Sequence, residues 1–379
     1  MKVALSFLLV AALTACSSKV TDTDRTSGSE LGFSMDFFRR ALIESPVNKN
    51  VTVSPYSAGV ALSMLMEGAE GETRAEIYKA LNGCSFISAE LSDNESVIVN
   101  SANSVWLDDD FPVKKNYVDH LAKDYGALAT TLDFSDRESV RTMNSWCSEH
   151  TEGMIEGIID ELTPDMVMVL MNALYFNAPW MTPFDPAATY YDVFNGSDGR
   201  STVPYMSGKF TCDYVGYDGN QLVRLPYKGG RYSMFVLLPS EEQGVDGVLP
   251  YMTEKGFSEV LSYMKPQSIR LSVPKFRTEH EMSLVKTLQA LGIRSAFTAS
   301  ADLSGIANGP LCVSDVLQKA VVDVDEKGAE AAAVTAVIVK MTSVRVDTTP
   351  IMKVDRPFYY MIADVDAGRI LFAGRVMNL

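Results

Sequence analysis

The sequence predicts an α+β protein, and three observations predict it. Helical patterns dominate as far as Leu81, and strands and helices mix after that without a repeating βαβ unit. A nearly unbroken apolar run from Met166 to Phe176 reads as a central strand covered on both faces. Hydrophobic residues make up 47% of the 379, enough for a sizeable core, and no linker, repeat or low-complexity break divides residues 30–379, which read as a single large domain.

The chain opens with one cation at Lys2, an apolar run from Val3 to Leu13 that is too short to span a bilayer, and then Leu13-Thr14-Ala15-Cys16. This stretch resembles a bacterial lipoprotein signal. On that resemblance residues 1–15 are removed and Cys16 carries several acyl chains, which hold a protein to a membrane where one chain would be marginal. The implied location is the bacterial cell envelope, at the outer membrane or cell surface. Residues 16–29, polar with Thr, Asp, Gly and Ser after the cysteine, read as a flexible tether. No later segment is apolar enough to cross a bilayer.

From Met35 to Leu81 the chain reads mainly as helix, with Phe37, Phe38, Ala41 and Leu42 on one face. Val51-Thr52-Val53 is a short strand, and Ser54-Pro55-Tyr56-Ser57 opens the next helix, with Ser54 placed to cap it and Pro55 at the first helical position. Asn103-Ser104-Val105-Trp106-Leu107 is strand-like, and Val113 to Tyr125 is helical. Inside the apolar run, Asn172 is an anomaly. A buried amide must find hydrogen-bond partners or cost about 1–3 kcal/mol. Leu225-Pro226-Tyr227 and Tyr232 to Pro239 form a hairpin across Gly229-Gly230. Ile269 to Phe276 is another strand, Leu284 to Leu291 a helix closed by Gly292, and Val321 to Val324 a strand.

That last strand feeds a stretch at odds with itself. Gly328-Ala329-Glu330-Ala331-Ala332-Ala333 favours helix or loop, whereas Val334-Thr335-Ala336-Val337-Ile338-Val339 favours strand. With period two, Ala329, Ala331, Ala333, Thr335, Val337 and Val339 share one small, uncharged face. Such a segment can slide edge-on into a sheet with little to clash or desolvate. An Ala-rich surface helix followed by a strand is the plainer reading of the same composition.

Formal charge is −15, spread along the chain with no basic stripe, so nucleic acid and heparin-like polyanions are poor partners. Cys84, Cys147, Cys212 and Cys312 are widely scattered and read as buried free thiols. Only His120, His150 and His280 are available as ligands or bases, none in metal-site spacing, so neither a metal nor another cofactor is expected. A GxSxG elbow is absent, and with it the hydrolase reading; no catalytic residue is assigned.

Asp325-Glu326-Lys327-Gly328-Ala329-Glu330-Ala331-Ala332-Ala333 resembles the hinge of a serpin reactive-centre loop. Asp355-Arg356-Pro357-Phe358, Ile370 to Val376 and Asp302-Leu303-Ser304-Gly305-Ile306 resemble further serpin landmarks, and most of the chain agrees. The resemblance implies a monomer with the serpin fold, about nine helices around three β-sheets with an exposed loop. It implies a suicide substrate rather than an enzyme. A serine protease cleaves the loop, the freed hinge inserts into the central sheet, and the acyl-enzyme is trapped. A non-inhibitory serpin acting as a carrier is the alternative. By resemblance the hinge comprises Glu326, Gly328, Ala329, Ala331, Ala332, Ala333 and Thr335. Ser54, Ser57 and Asn172 match the shutter beneath that sheet, and Trp180 the breach where the loop enters. Gln318 stands where the family commonly has a histidine, which puts histidine-based pH sensitivity of opening in doubt. Serpins place the scissile bond about 17 residues past the hinge glutamate, which from Glu326 falls at Thr342-Ser343; Lys340-Met341 lies two residues earlier. These four suit trypsin-like and elastase-like serine proteases, with cysteine proteases a further class.

Overall fold

The computed structural model describes residues 29–87, 91, 97–328 and 348–379. Among these residues the helices are α1 (Glu30–Glu44), α2 (Pro55–Gly68), α3 (Gly71–Ala80), α4 (Lys115–Tyr125), α5 (Arg137–His150), α6 (Gly244–Val248), α7 (Glu254–Tyr263) and α8 (Val285–Ala290). The strands are β1 (Val51–Val53), β2 (Ile98–Asp108), β3 (Leu128–Leu132), β4 (Met168–Asn177), β5 (Tyr190–Gly196), β6 (Gly199–Tyr217) and β7 (Asn220–Pro226). They continue with β8 (Tyr232–Leu238), β9 (Lys265–Pro274), β10 (Phe276–Ser283), β11 (Asp315–Val324), β12 (Ile351–Lys353), β13 (Phe358–Asp364) and β14 (Arg369–Val376).

Two hydrogen-bonded sheets organise them. The smaller has the order β10-β11-β4-β2-β3. The larger runs β1-β14-β13-β8-β7-β6-β9-β12, with β5 added on β6. Among the described residues the three sheets expected from the family resemblance are joined into two, because β6 is continuous. Its first part pairs with β5, its middle with β9 and its end with β7. Gly199, Pro204, Gly208 and Gly216 punctuate its pattern, which is why the sequence does not announce a 19-residue strand.

Helix α2 packs against both sheets, touching β14 of one and β4 and β2 of the other. Apolar on every side, it is almost wholly buried, as such a helix must be. The Ser54 hydroxyl accepts from the Ser57 N–H, and Pro55 occupies the first turn, as the sequence predicts. At its far end Gly68 accepts from the Gly305 N–H at 3.0 Å, and a side chain on Gly305 would strike the Gly68 backbone. That close approach accounts for the glycine in Asp302-Leu303-Ser304-Gly305-Ile306. The outer face of the smaller sheet is covered by α5 and the segment after it. Met143, Cys147, Ile155, Ile158 and Ile159 pack there on Trp106, Val169, Met171, Ala173 and Val321. Cys84, Cys147, Cys212 and Cys312 are free thiols, the middle two buried and the outer two half-buried. No described helix is long and apolar enough to cross a membrane.

Candidate functional site

The smaller sheet is closed at one end and parted at the other. Strands β4 and β11 run parallel and pair from Asp315 opposite Val169 to Ala320 opposite Leu174. Their ladder stops there, although β11 stays paired with β10 as far as Val324 and β4 with β2 as far as Asn177. Val321 to Val324 and Tyr175 to Asn177 therefore face each other across a wedge with no ladder between them. Parallel strands joined by six register pairs leave room for a further strand if they separate.

A strap crosses the open end. Residues 325–328 turn tightly, with the Gly328 N–H on Asp325 O at 3.3 Å, and lie against residues 178–184. The Trp180 N–H donates to Lys327 O at 2.9 Å, its indole N–H to Asp325 O at 2.9 Å, and the Phe184 N–H to Glu326 O at 2.9 Å. The Trp180 ring stacks on Tyr227 with centroids 4.4 Å apart. Gly328 has φ +105°, and a Cβ there would collide with Ala178 O and the Trp180 N. Only glycine satisfies both constraints. The Glu326 carboxylate, 9% exposed, receives the Thr189 hydroxyl at 2.7 Å and the Lys275 ammonium at 2.7 Å. Burial works to raise its pKa, but these two partners outweigh it and hold the group below the ordinary glutamate value.

Lower down, a buried polar network joins β11, β4 and β2 to the start of α2. Gln318 Oε1 accepts from the Ser54 N–H at 2.9 Å, while its Nε2 donates to Ser54 O at 2.9 Å and to Asn172 Oδ1 at 3.4 Å. Asn172 also accepts from the Ser57 hydroxyl and donates to Asn103 Oδ1. All five residues are at most 3% exposed. The anomalous asparagine in the apolar strand is thus fully engaged, and the glutamine bridges Asn172 and Ser54 across the strands that would have to part.

Sequence reasoning missed Asn103, Thr189, Lys275, Lys319 and His280. Asn103 lies directly opposite Asn172, a fact visible only once β2 and β4 are paired. Lys319, on the outer face of β11, donates to Gly157 O at 3.0 Å and sits between Glu279 and Glu281 at 3.2 and 3.3 Å, tying the segment after α5 to the sheet. His280 Nδ1 lies 3.2 Å from Thr52 O, beside the network, and burial lowers its pKa below the ordinary 6.5. The remaining hinge residues, Ala329, Ala331, Ala332, Ala333 and Thr335, lie outside the described residues. So do Lys340, Met341, Thr342 and Ser343 of the bait, and Cys16.

The family model described as serpin (serine protease inhibitor) matches residues 29–379. The chain is 35% identical to Iripin-3 of the tick Ixodes ricinus, with all of both chains covered. It is 33% identical to a serpin-like protein of Thermococcus kodakarensis, over 87% of this chain and 81% of the other. Among solved structures it is similar to the thermophilic serpin tengpin in its native state, with a TM-score of 0.86, 30% identity and 96% of each chain covered. It is also similar to human thyroxine-binding globulin in complex with thyroxine, with a TM-score of 0.84, 27% identity, and 92% of this chain and 97% of that one covered.

Proposed function

The chain belongs to the serpin family, and on that premise we propose that it inhibits serine proteases as a single-use conformational trap. The observation that carries the reading is the parted end of the β4–β11 ladder, with the hinge strap seated at its mouth. A protease serine attacks a carbonyl within residues 339–346. The peptide bond breaks, its new amino group leaves with the C-terminal segment, and the carbonyl stays on the serine as an ester. The freed hinge then enters between β4 and β11 as a new strand and carries the protease with it.

Two properties favour entry. Residues 329–335 have a neutral face of Ala and Thr on one side. About a dozen inserted residues would each gain ladder bonds worth roughly 0.5–1.5 kcal/mol. Release on the order of ten kcal/mol is enough to distort an acyl-enzyme site. Thr342 and Lys340 are the proposed contact residues, with Ser343 and Met341 following them, and trypsin-like and elastase-like enzymes the targets. Cys16 is the proposed lipid anchor that would hold the trap to a cell envelope; a membrane-fraction assay in which Cys16→Ala stays bound to the membrane would end that part.

The likeness to thyroxine-binding globulin supports a second reading, a carrier that keeps the fold without trapping. One experiment separates them. The protein lacking residues 1–16 is mixed with trypsin and separately with elastase, then run on denaturing gels. A boiling-resistant band at the summed mass is the expected result. Clean cleavage between Val339 and Val346 with no such band would instead leave a carrier.

A further inference from the structure

We propose that the gap between α5 and the β2–β3 edge of the smaller sheet is a binding site for a small, flat organic cation. Register and helical spacing build it from two sides. Strand β3 pairs with β2 so that Leu128 lies opposite Ser104, Thr130 opposite Trp106 and Leu132 opposite Asp108. Directly paired and alternate residues share a face, so Leu128, Thr130, Leu132 and Trp106 all look toward α5. On the helix, Glu138, Arg141, Thr142, Ser145, Trp146 and Glu149 follow one another at steps of three and four residues and form a single stripe toward that edge.

A different stripe anchors the helix. Val140, Met143 and Cys147 pack with Trp106 and Val169 on the sheet, which leaves the flank of α5 above β3 unfilled. The result is a cavity of about 730 Å³ lined by the two sets of side chains. That is large enough for an organic ligand of several rings. Trp106 and Trp146 meet edge to face with centroids 6.0 Å apart, and the half-buried Leu128 and Leu132 complete an apolar wall.

Charge decides the sign of the ligand. Arg141, the one cation of the lining, is held by Glu138 at 2.6 Å. Glu149 is exposed at the edge of the cavity and holds no ion pair or hydrogen bond among the described residues. The Thr130 and Ser145 hydroxyls also hold none there, and each can accept from an N–H. The surroundings have the same sign. Residues 133–165 carry nine carboxylates against two arginines, a formal net of −7 within the chain's −15. A planar cation can lay its rings against the indole and leucine wall, where tryptophan favours a positive charge, and bring its N–H groups to Glu149. An anion meets the unpaired carboxylate instead. Such a ligand touches β3 and α5 at once, so it ties the edge of the sheet to the helix that covers it.

The probe is 9-aminoacridine, a flat tricyclic cation at neutral pH, set against neutral acridine and anionic acridine-9-carboxylate in isothermal titration calorimetry. No protease enters the test, so its outcome is independent of the inhibitory reading. At low salt the cation is expected to bind at one site about fivefold or more tighter than acridine, with the carboxylate not binding at the same concentrations. Added salt should narrow the difference. Glu149→Gln should weaken the cation about threefold and leave acridine unchanged. Thr142→Trp, a filling change from an exposed helix position, should abolish binding of both. Glu156→Gln, in the neighbouring hollow that Arg141, Ser145 and Glu149 also border, should bind like the parent. At ten times its dissociation constant the cation should raise the melting midpoint of the parent by about 2 °C, and that of Thr142→Trp not at all. No binding of 9-aminoacridine by the parent, equal affinity for the cation and the carboxylate, or equal losses in the Glu149 and Glu156 variants would each overturn the proposal.

Discussion

Replacing Gln318 by Leu tests whether the buried network holds the parting strands shut. The two side chains have similar volume, so the change removes hydrogen bonds without opening a large cavity. Ser54 O keeps its bond from the Ala58 N–H, and Asn172 Oδ1 keeps the Ser57 hydroxyl. The Ser54 N–H loses the Gln318 acceptor it has in the buried network. An orphaned buried donor costs about 1–3 kcal/mol and each of the two other lost bonds roughly 0.5–1, so about 3 kcal/mol in all is expected. With an unfolding entropy of about 2.1 cal/mol/K per residue, a domain of roughly 350 residues should melt about 4 °C lower. Because the loss falls between β11 and α2, warming should also produce self-association sooner. Differential scanning calorimetry reads the first effect and native gels after timed incubation the second. A midpoint within about 1 °C of the parent, with unchanged gels, would refute the idea that Gln318 clamps the sheet.

Three further outcomes follow from the same geometry. Ala331→Arg should turn the inhibitor into a substrate, with normal cleavage but no stable complex, because a long charged side chain obstructs hinge entry; full inhibition by this variant would count against the trap. Gly328→Ala should lower the melting midpoint by about 1–4 °C, since a strained left-handed position costs about 1–3 kcal/mol and the obstructing atoms are backbone; an unchanged midpoint would show that the strap can yield. Burial holds His280 below its ordinary pKa, so the unfolded chain takes up its proton first and stability should fall as pH drops below about 6.5. His280→Gln should flatten the slope of melting midpoint against pH between 5 and 7, a window well above where the depressed Glu326 carboxyl titrates, and an unaltered slope would clear His280 of the effect.

Much of the fold was legible because local signals and global structure agreed. The Ser54-Pro55 start of α2, the apolar strand β4 and the Gly229-Gly230 hairpin each rest on neighbours in sequence. Strand β6 was not legible, because its glycines and proline mimic turns and only pairing with three different partners keeps it continuous. The site divides in the same way. Asn172 stood out as a polar residue in an apolar run, but what satisfies it comes from Ser57, Asn103 and Gln318, between 69 and 146 residues away.

The same division explains the histidine. Gln318 occupies a position where the family resemblance leads one to expect a histidine, and from sequence alone that difference puts histidine-based pH sensitivity of opening in doubt. Register places His280 on the neighbouring strand, opposite Ala320 and therefore on the same face as Gln318, with its ring against the carbonyl of Thr52 two residues before Ser54. A neutral imidazole packed there and a charged one are different partners for β1, because protonation must be compensated in a site that burial has made unfavourable to charge. A buried titrating group therefore stands one strand away from Gln318, on the same face of the sheet. Between pH 5 and 7, acid sensitivity at this end of the sheet should follow His280 and leave the Gln318 bridge unprotonated throughout.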